Sequence, residues 1–195
     1  MDADEQLIFW RQGRSLPYGE GVAYWALGEM VKAQAGILDS DPPEEAEGKL
    51  REAVEALEVE EPERLVENLR PLVGLGSDHE VGGDRSERFA AWRQFFEGLA
   101  ASRPTVLVFE DLHWADAPFL DFLSYRAEWA EGVPLLLLCT ARPELFEAHS
   151  TWGAGTRNSH TINLSPLSKS ETSDLVQGLL EQTVSDQVRA AILER

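Results

Sequence analysis

The apolar positions of this chain fall into two kinds of run. Thr105–Phe109 and Pro134–Thr140 are short, unbroken apolar stretches, the first rich in β-branched residues, and each reads as a strand buried on both faces. Gln6–Trp10 (Gln-Leu-Ile-Phe-Trp) reads as another strand, and Arg11–Gly21, punctuated by Gly and Pro, as the loop after it. Between these runs the apolar residues recur at helical spacing. Tyr24, Leu27 and Val31 predict a helix over 22–37. Asp41-Pro42-Pro43-Glu44 predicts a helix start with Asp41 as N-cap, running to about Leu57, and a further helix follows Pro62. Gly-rich residues 74–83 read as a flexible connection. Asp84 and Glu87 form a capping-box pattern ahead of a stripe of Phe89, Trp92, Phe96 and Leu99.

Downstream, a helix is expected over 117–131 and a third strand of this stretch over Ser159–Leu164. A second capping box, Ser168 and Glu171, opens a helix carrying Leu175, Val176, Leu179 and Leu180. A last helix is expected over 184–194. Strands apolar on both faces that alternate with helices predict an α/β fold, a parallel sheet with helices on both faces.

Composition narrows the function. The chain has 195 residues and a formal charge of −18, which argues against direct nucleic acid binding, because such proteins display a basic face. Half of that excess lies in residues 39–67, where twelve acids face three bases. Such a run is a solvated helical face or an acidic docking surface. The single cysteine, Cys139, excludes an intramolecular disulfide and a Cys-rich metal site and fits a reducing cytoplasm. The start, Met1-Asp2-Ala3-Asp4-Glu5, lacks the positive charge of a signal peptide, and no apolar run approaches the roughly 20 residues of a membrane span. A cytoplasmic protein without membrane contact is expected.

The chemistry concentrates where the buried strands end. Val106–Phe109 is followed by Glu110 and Asp111, two adjacent acids at the carboxyl end of a strand, the edge where open α/β sheets bind ligands. Two carboxylates there can hold Mg²⁺ and orient or deprotonate an attacking water. An acid in that place can equally cap the next helix, and Asp116, before Ala117-Pro118, is read as such a cap. One strand along, Leu135–Cys139 leads to Thr140-Ala141-Arg142, so Arg142 emerges at the same edge. Its guanidinium can touch a terminal phosphate or pair with Glu110 or Asp111. His113 has no second histidine at ligand spacing.

Three segments together, Val106–Asp116, Cys139–Leu145 and Tyr18-Gly19-Glu20-Gly21-Val22-Ala23-Tyr24-Trp25, resemble the ATPase modules of large bacterial signalling proteins. These form the STAND branch of the AAA-like P-loop NTPases. They are attached to class III adenylate/guanylate cyclases or to LuxR-type DNA-binding domains. The string Asp-Leu-His-Trp-Ala-Asp at 111–116 is the most specific part, and the resemblance covers roughly residues 6–182. It implies ATP and Mg²⁺ as cofactors, Glu110 and Asp111 as Walker B acids, and Asp111 and Arg142 as catalytic residues, Arg142 as the sensor of the γ-phosphate. It also implies a P-loop NTPase-like domain over 1–164 with an acidic helical insertion at about 39–73, and the start of a helical lid over 165–195. In that family ATP binding and slow hydrolysis switch an attached cyclase or DNA-binding output domain.

Two features depart from the family. Glu110 stands where Asp is commoner, and no G-x-x-x-x-G-K-[ST] loop occurs; the only Gly-Lys, Gly48-Lys49, lies in the acidic helix. The chain is therefore expected to be an incomplete module, truncated before the family's second strand and inactive alone. The lost first strand is placed beside the strand that ends at Phe109. The strands at 6–10 and 105–109 can close that gap by pairing directly, but beneath helices shaped for a wider sheet, so an aggregation-prone or partly molten chain is expected. The competing expectation is a non-catalytic, acidic protein-interaction domain that keeps only the fold.

Overall fold

The computed structural model describes residues 8–17, 24–76, 84–129, 132–153, 155 and 158–179. The chain divides into two compact units, 1–159 and 160–195. In the first unit the described elements run β1 (Phe9–Arg14), α1 (Trp25–Ala35), α2 (Pro43–Glu55), α3 (Pro62–Leu69), a 3₁₀ turn (Arg70–Val73), α4 (Arg85–Ser102) and β2 (Thr105–Glu110). A 3₁₀ turn at Leu112–Trp114, α5 (Ala117–Trp129), β3 (Leu135–Cys139) and α6 (Glu144–Ala148) complete it, and the second unit contributes α7 (Lys169–Leu179). The expected helix over 184–194 lies outside the described residues.

The strands form one parallel sheet in the order β1-β2-β3. β2 is therefore central and paired on both sides. β1 and β2 pair directly, the arrangement by which the strands at 6–10 and 105–109 could close the expected gap. β1 also runs further than its apolar run, through Arg11–Arg14, which the sequence assigned to a loop. Gly13 explains the misreading. It is not turn punctuation: a Cβ there would lie 2.4 Å from the carbonyl oxygen of Ala26, so glycine lets α1 settle directly on the strand.

One face of the sheet is covered. Phe9, Leu107 and Phe109 join the core with residues of α1 to α6, and Leu135, Leu137 and Cys139 pack against it. Trp92, Phe95, Phe96, Phe109 and Phe122 are fully buried, each removing a large apolar area from water. Rings meet edge to face, Tyr24 on Trp92 at 4.7 Å and Phe109 on Phe119 at 5.4 Å. The Phe89, Trp92, Phe96 and Leu99 stripe of α4 is buried throughout.

The other face is open among the described residues, where helices on both faces were expected. Trp10 is 52% exposed, Leu136 58% and Leu138 45%, while Val106 and Val108 between them are buried but lie outside the core cluster. Ser159–Leu164 departs from expectation as well: it is irregular, with Ile162 and Leu164 almost fully exposed. An apolar run becomes a strand only where a neighbour completes its hydrogen bonds, and no described strand pairs with this one.

Of the four side-chain caps expected from the sequence, three form. Asp84 accepts from the Ser86 N–H, Asp116 accepts from the Phe119 N–H, and Ser168 and Glu171 exchange a reciprocal pair of bonds. Asp41 does not cap α2. The two prolines that follow hold the backbone extended, Pro42 becomes the N-cap, and Asp41 accepts from the Leu38 N–H and from Lys49 Nζ at 2.7 Å. Gly48-Lys49 lies inside α2, with Lys49 tied to Asp41 and Glu45.

Candidate functional site

The parallel register brings the carboxyl ends of all three strands to one edge. Arg14 closes β1 and is the register partner of Glu110, which closes β2. Phe109 is the partner of Cys139, the last residue of β3, so Arg142 follows three residues beyond that end. Backbone bonds tie the strand ends together beyond the sheet. The Thr140 N–H donates to the Phe109 carbonyl and the Leu112 N–H to the Thr140 carbonyl, both at 2.9 Å. Glu110, Asp111 and Arg142 thus occupy the same sheet edge, as their positions after two apolar runs predicted.

Their partners differ from the expected ones. Arg14 Nη2 donates to Glu110 Oε2 at 2.8 Å and its Nε to the same oxygen at 3.1 Å, while Nε lies 3.4 Å from Asp111 Oδ2. The guanidinium that faces the acid pair therefore comes from β1. Arg142 is exposed, and no ion pair to either acid joins it among the described residues. Sequence reasoning missed Arg14 because Gly13 and Pro17 made its surroundings look like a loop. Extending the strand through Gly13 would have placed one charged residue at the end of each of two neighbouring strands.

The electrostatics follow from these contacts. The Arg14 guanidinium, and after it the Gln12 side chain, hold the Glu110 carboxyl below the usual carboxylate range. Bonding to Glu110 in turn raises the Arg14 pKa. Asp111 adopts a left-handed backbone with φ 58°, uncommon for a residue other than glycine but accessible to aspartate. That conformation turns the chain sharply out of β2 into the 112–114 turn. There the two ring nitrogens of His113 are buried without a hydrogen-bond partner, and its ring lies 5.0 Å from that of Trp114. Beneath the edge, burial pushes the Cys139 thiol up to about 12.

The arrangement offers two adjacent carboxylates and one guanidinium at a solvent-accessible sheet edge. Mg²⁺ is characteristically held by one or two protein carboxylates, with water and phosphate oxygens completing an octahedron, and Glu110 with Asp111 fits that donor set. Among the described residues no group of three or more His, Cys, Asp or Glu side chains forms a complete protein cage for a metal. No described helix is long and apolar enough to cross a membrane. No known protein family, curated protein or solved structure matches the chain.

Proposed function

We propose that this chain is the ATP-handling α/β portion of a bacterial signalling ATPase module of the STAND type, with Glu110 and Asp111 as its Mg²⁺-binding acids. The observation that carries the reading is the adjacent acid pair closing the central strand of a parallel sheet, at the edge shared with Arg14 and Arg142. The string at 111–116 supports it from the sequence. In this reading Mg²⁺ supplies charge neutralisation and water activation when bound. Glu110 and Asp111 provide its protein oxygens, and Arg142, exposed at the same edge, meets the terminal phosphate. A cyclase or DNA-binding domain would be the output, in a cytoplasmic setting.

Because no P-loop backbone cradles the phosphates, nucleotide affinity in this chain is expected to be weak. Mn²⁺ titration read by electron paramagnetic resonance, with and without ATP, tests the acid pair directly. The reading predicts weak Mn²⁺ binding that ATP strengthens and that D111N abolishes. Micromolar ATP binding untouched by D111N would locate the nucleotide elsewhere and overturn it.

A second reading draws on a separate observation. The open sheet face exposing Trp10, Leu136 and Leu138 suits a protein-interaction domain that performs no catalysis. Absence of any Asp111-dependent response to Mn²⁺ and ATP would favour this reading over the first.

A further inference from the structure

The opposite, amino-terminal edge of the sheet carries a separate charge arrangement. Arg11 of β1 and Arg103, between α4 and β2, both lie against the ring of Phe9, their Cζ atoms 3.8 and 4.0 Å from its centroid. Two guanidinium groups gathered at one ring repel each other. The Arg11 pKa is correspondingly lowered, first by burial and then by the charge of Arg103. Many cations of this acidic chain meet carboxylates, as Lys49, Arg51, Arg64 and Arg85 do. Neither Arg11 nor Arg103 has a carboxylate partner among the described residues, although the chain holds 35 acids against 17 bases. Arg11 instead donates to the Trp10 carbonyl and to Gln34 Oε1, at 3.1 and 2.9 Å, and its Nε is buried without a partner.

Beside this pair lies an open groove of about 460 Å³. Gln34, Lys49, Glu52, Ser102 and Arg103 supply its polar lining, with Leu57 and Leu99 among its apolar walls. Lys49 is already neutralised by Asp41 and Glu45. Arg103 shares the groove with Glu52 but has no carboxylate partner among the described residues, and Arg11 lies behind Gln34, outside the lining. The bond from Arg11 engages the Gln34 carbonyl oxygen and leaves the amide N–H groups as donors.

We propose that this groove binds a small phosphate-type oxyanion, with Arg103 as its direct fork and Arg11 as the second charge acting through Gln34. A guanidinium presents paired N–H groups that match two oxygens of a phosphate. Glu52 in the lining sets a limit, disfavouring anions that lie close to its carboxylate. The site is independent of Glu110 and Asp111, since parallel strands place their amino and carboxyl ends at opposite edges.

Inorganic phosphate is the probe, titrated in EDTA at constant ionic strength and followed by ³¹P line broadening and isothermal calorimetry. EDTA removes the divalent cation that the acid pair would need, so the result does not depend on the function proposed above. Saturable binding by the wild type is expected, about tenfold weaker in R103Q and intermediate in R103K, which keeps the charge and loses the fork. Arg103 is exposed, so R103Q leaves the core intact, with far-UV circular dichroism as the check. R11Q should weaken binding in the same direction. Phosphate binding unchanged in R103Q, or no saturable binding by the wild type, would overturn the proposal.

Discussion

Arg14 and Glu110 close adjacent parallel strands at the same register level, and their side chains meet at 2.8 Å. The pairing depends on Gly13, because that residue allows β1 to continue beneath α1 to Arg14. A local packing requirement thereby decides which guanidinium stands before the acid pair.

The Glu110 carboxyl titrates below its ordinary range because Arg14 favours its charged form. A depressed folded-state pKa gives stability that is present above the unfolded carboxylate value of about 4.3 and is lost as pH falls through the folded value. R14Q should therefore melt slightly below the wild type at neutral pH, and the difference should close in acid. Thermal melts of both proteins across that range check the sign; a gap that widened in acid would contradict it.

Gly13 and Gly48 should respond oppositely to alanine. G13A forces a Cβ against the backbone of Ala26 and is expected to cost about 1–3 kcal/mol. G48A meets nothing within 4 Å, at an exposed position inside α2, and should gain up to about 1 kcal/mol from helix propensity. Urea denaturation of the two variants measures both, and the same comparison tests whether residue 13 belongs to a packed strand.

The open sheet face should drive self-association. Leu138 is 45% exposed on it, whereas Leu137 packs toward the core. L138K is expected to reduce light scattering and the weight-average mass in sedimentation while leaving the melt nearly unchanged. L137K should lose about 1–3 kcal/mol of stability, because it sets a charge against the core on which the partly buried Leu137 packs. Equal effects from the two substitutions would mean that the faces have been assigned wrongly.

Cys139 should be slow to react. With its thiol pushed up to about 12, little thiolate exists at pH 8. The greater nucleophilicity of a high-pKa thiolate recovers part of the loss, leaving modification by a disulfide reagent on the order of a hundredfold slower than for a free cysteine. Unfolding in denaturant should restore the ordinary rate. Fast labelling of the folded chain would show that the end of β3 is open to water.

The amino-acid pattern by itself determined most local structure. The unbroken run before Glu110 demanded a buried strand, the Phe89–Leu99 stripe demanded a covered helix, and Asp84, Asp116, Ser168 and Glu171 fixed helix starts. Each of these signals acts within a few residues, through side-chain periodicity or a bond to a nearby N–H. The same locality put Glu110, Asp111 and Arg142 at one edge, given parallel strands. What depended on distant neighbours was illegible. Gly13 read as a loop because its reason, the Ala26 carbonyl, lies across the fold. Asp41 read as a cap because Lys49, about two helix turns inside α2, was not yet known to claim it. Ser159–Leu164 read as a strand although strand formation requires a partner. Leu136 and Leu138 read as buried, yet an apolar side chain is covered only where another element packs on it, and tertiary structure alone decides which face of a sheet receives that cover.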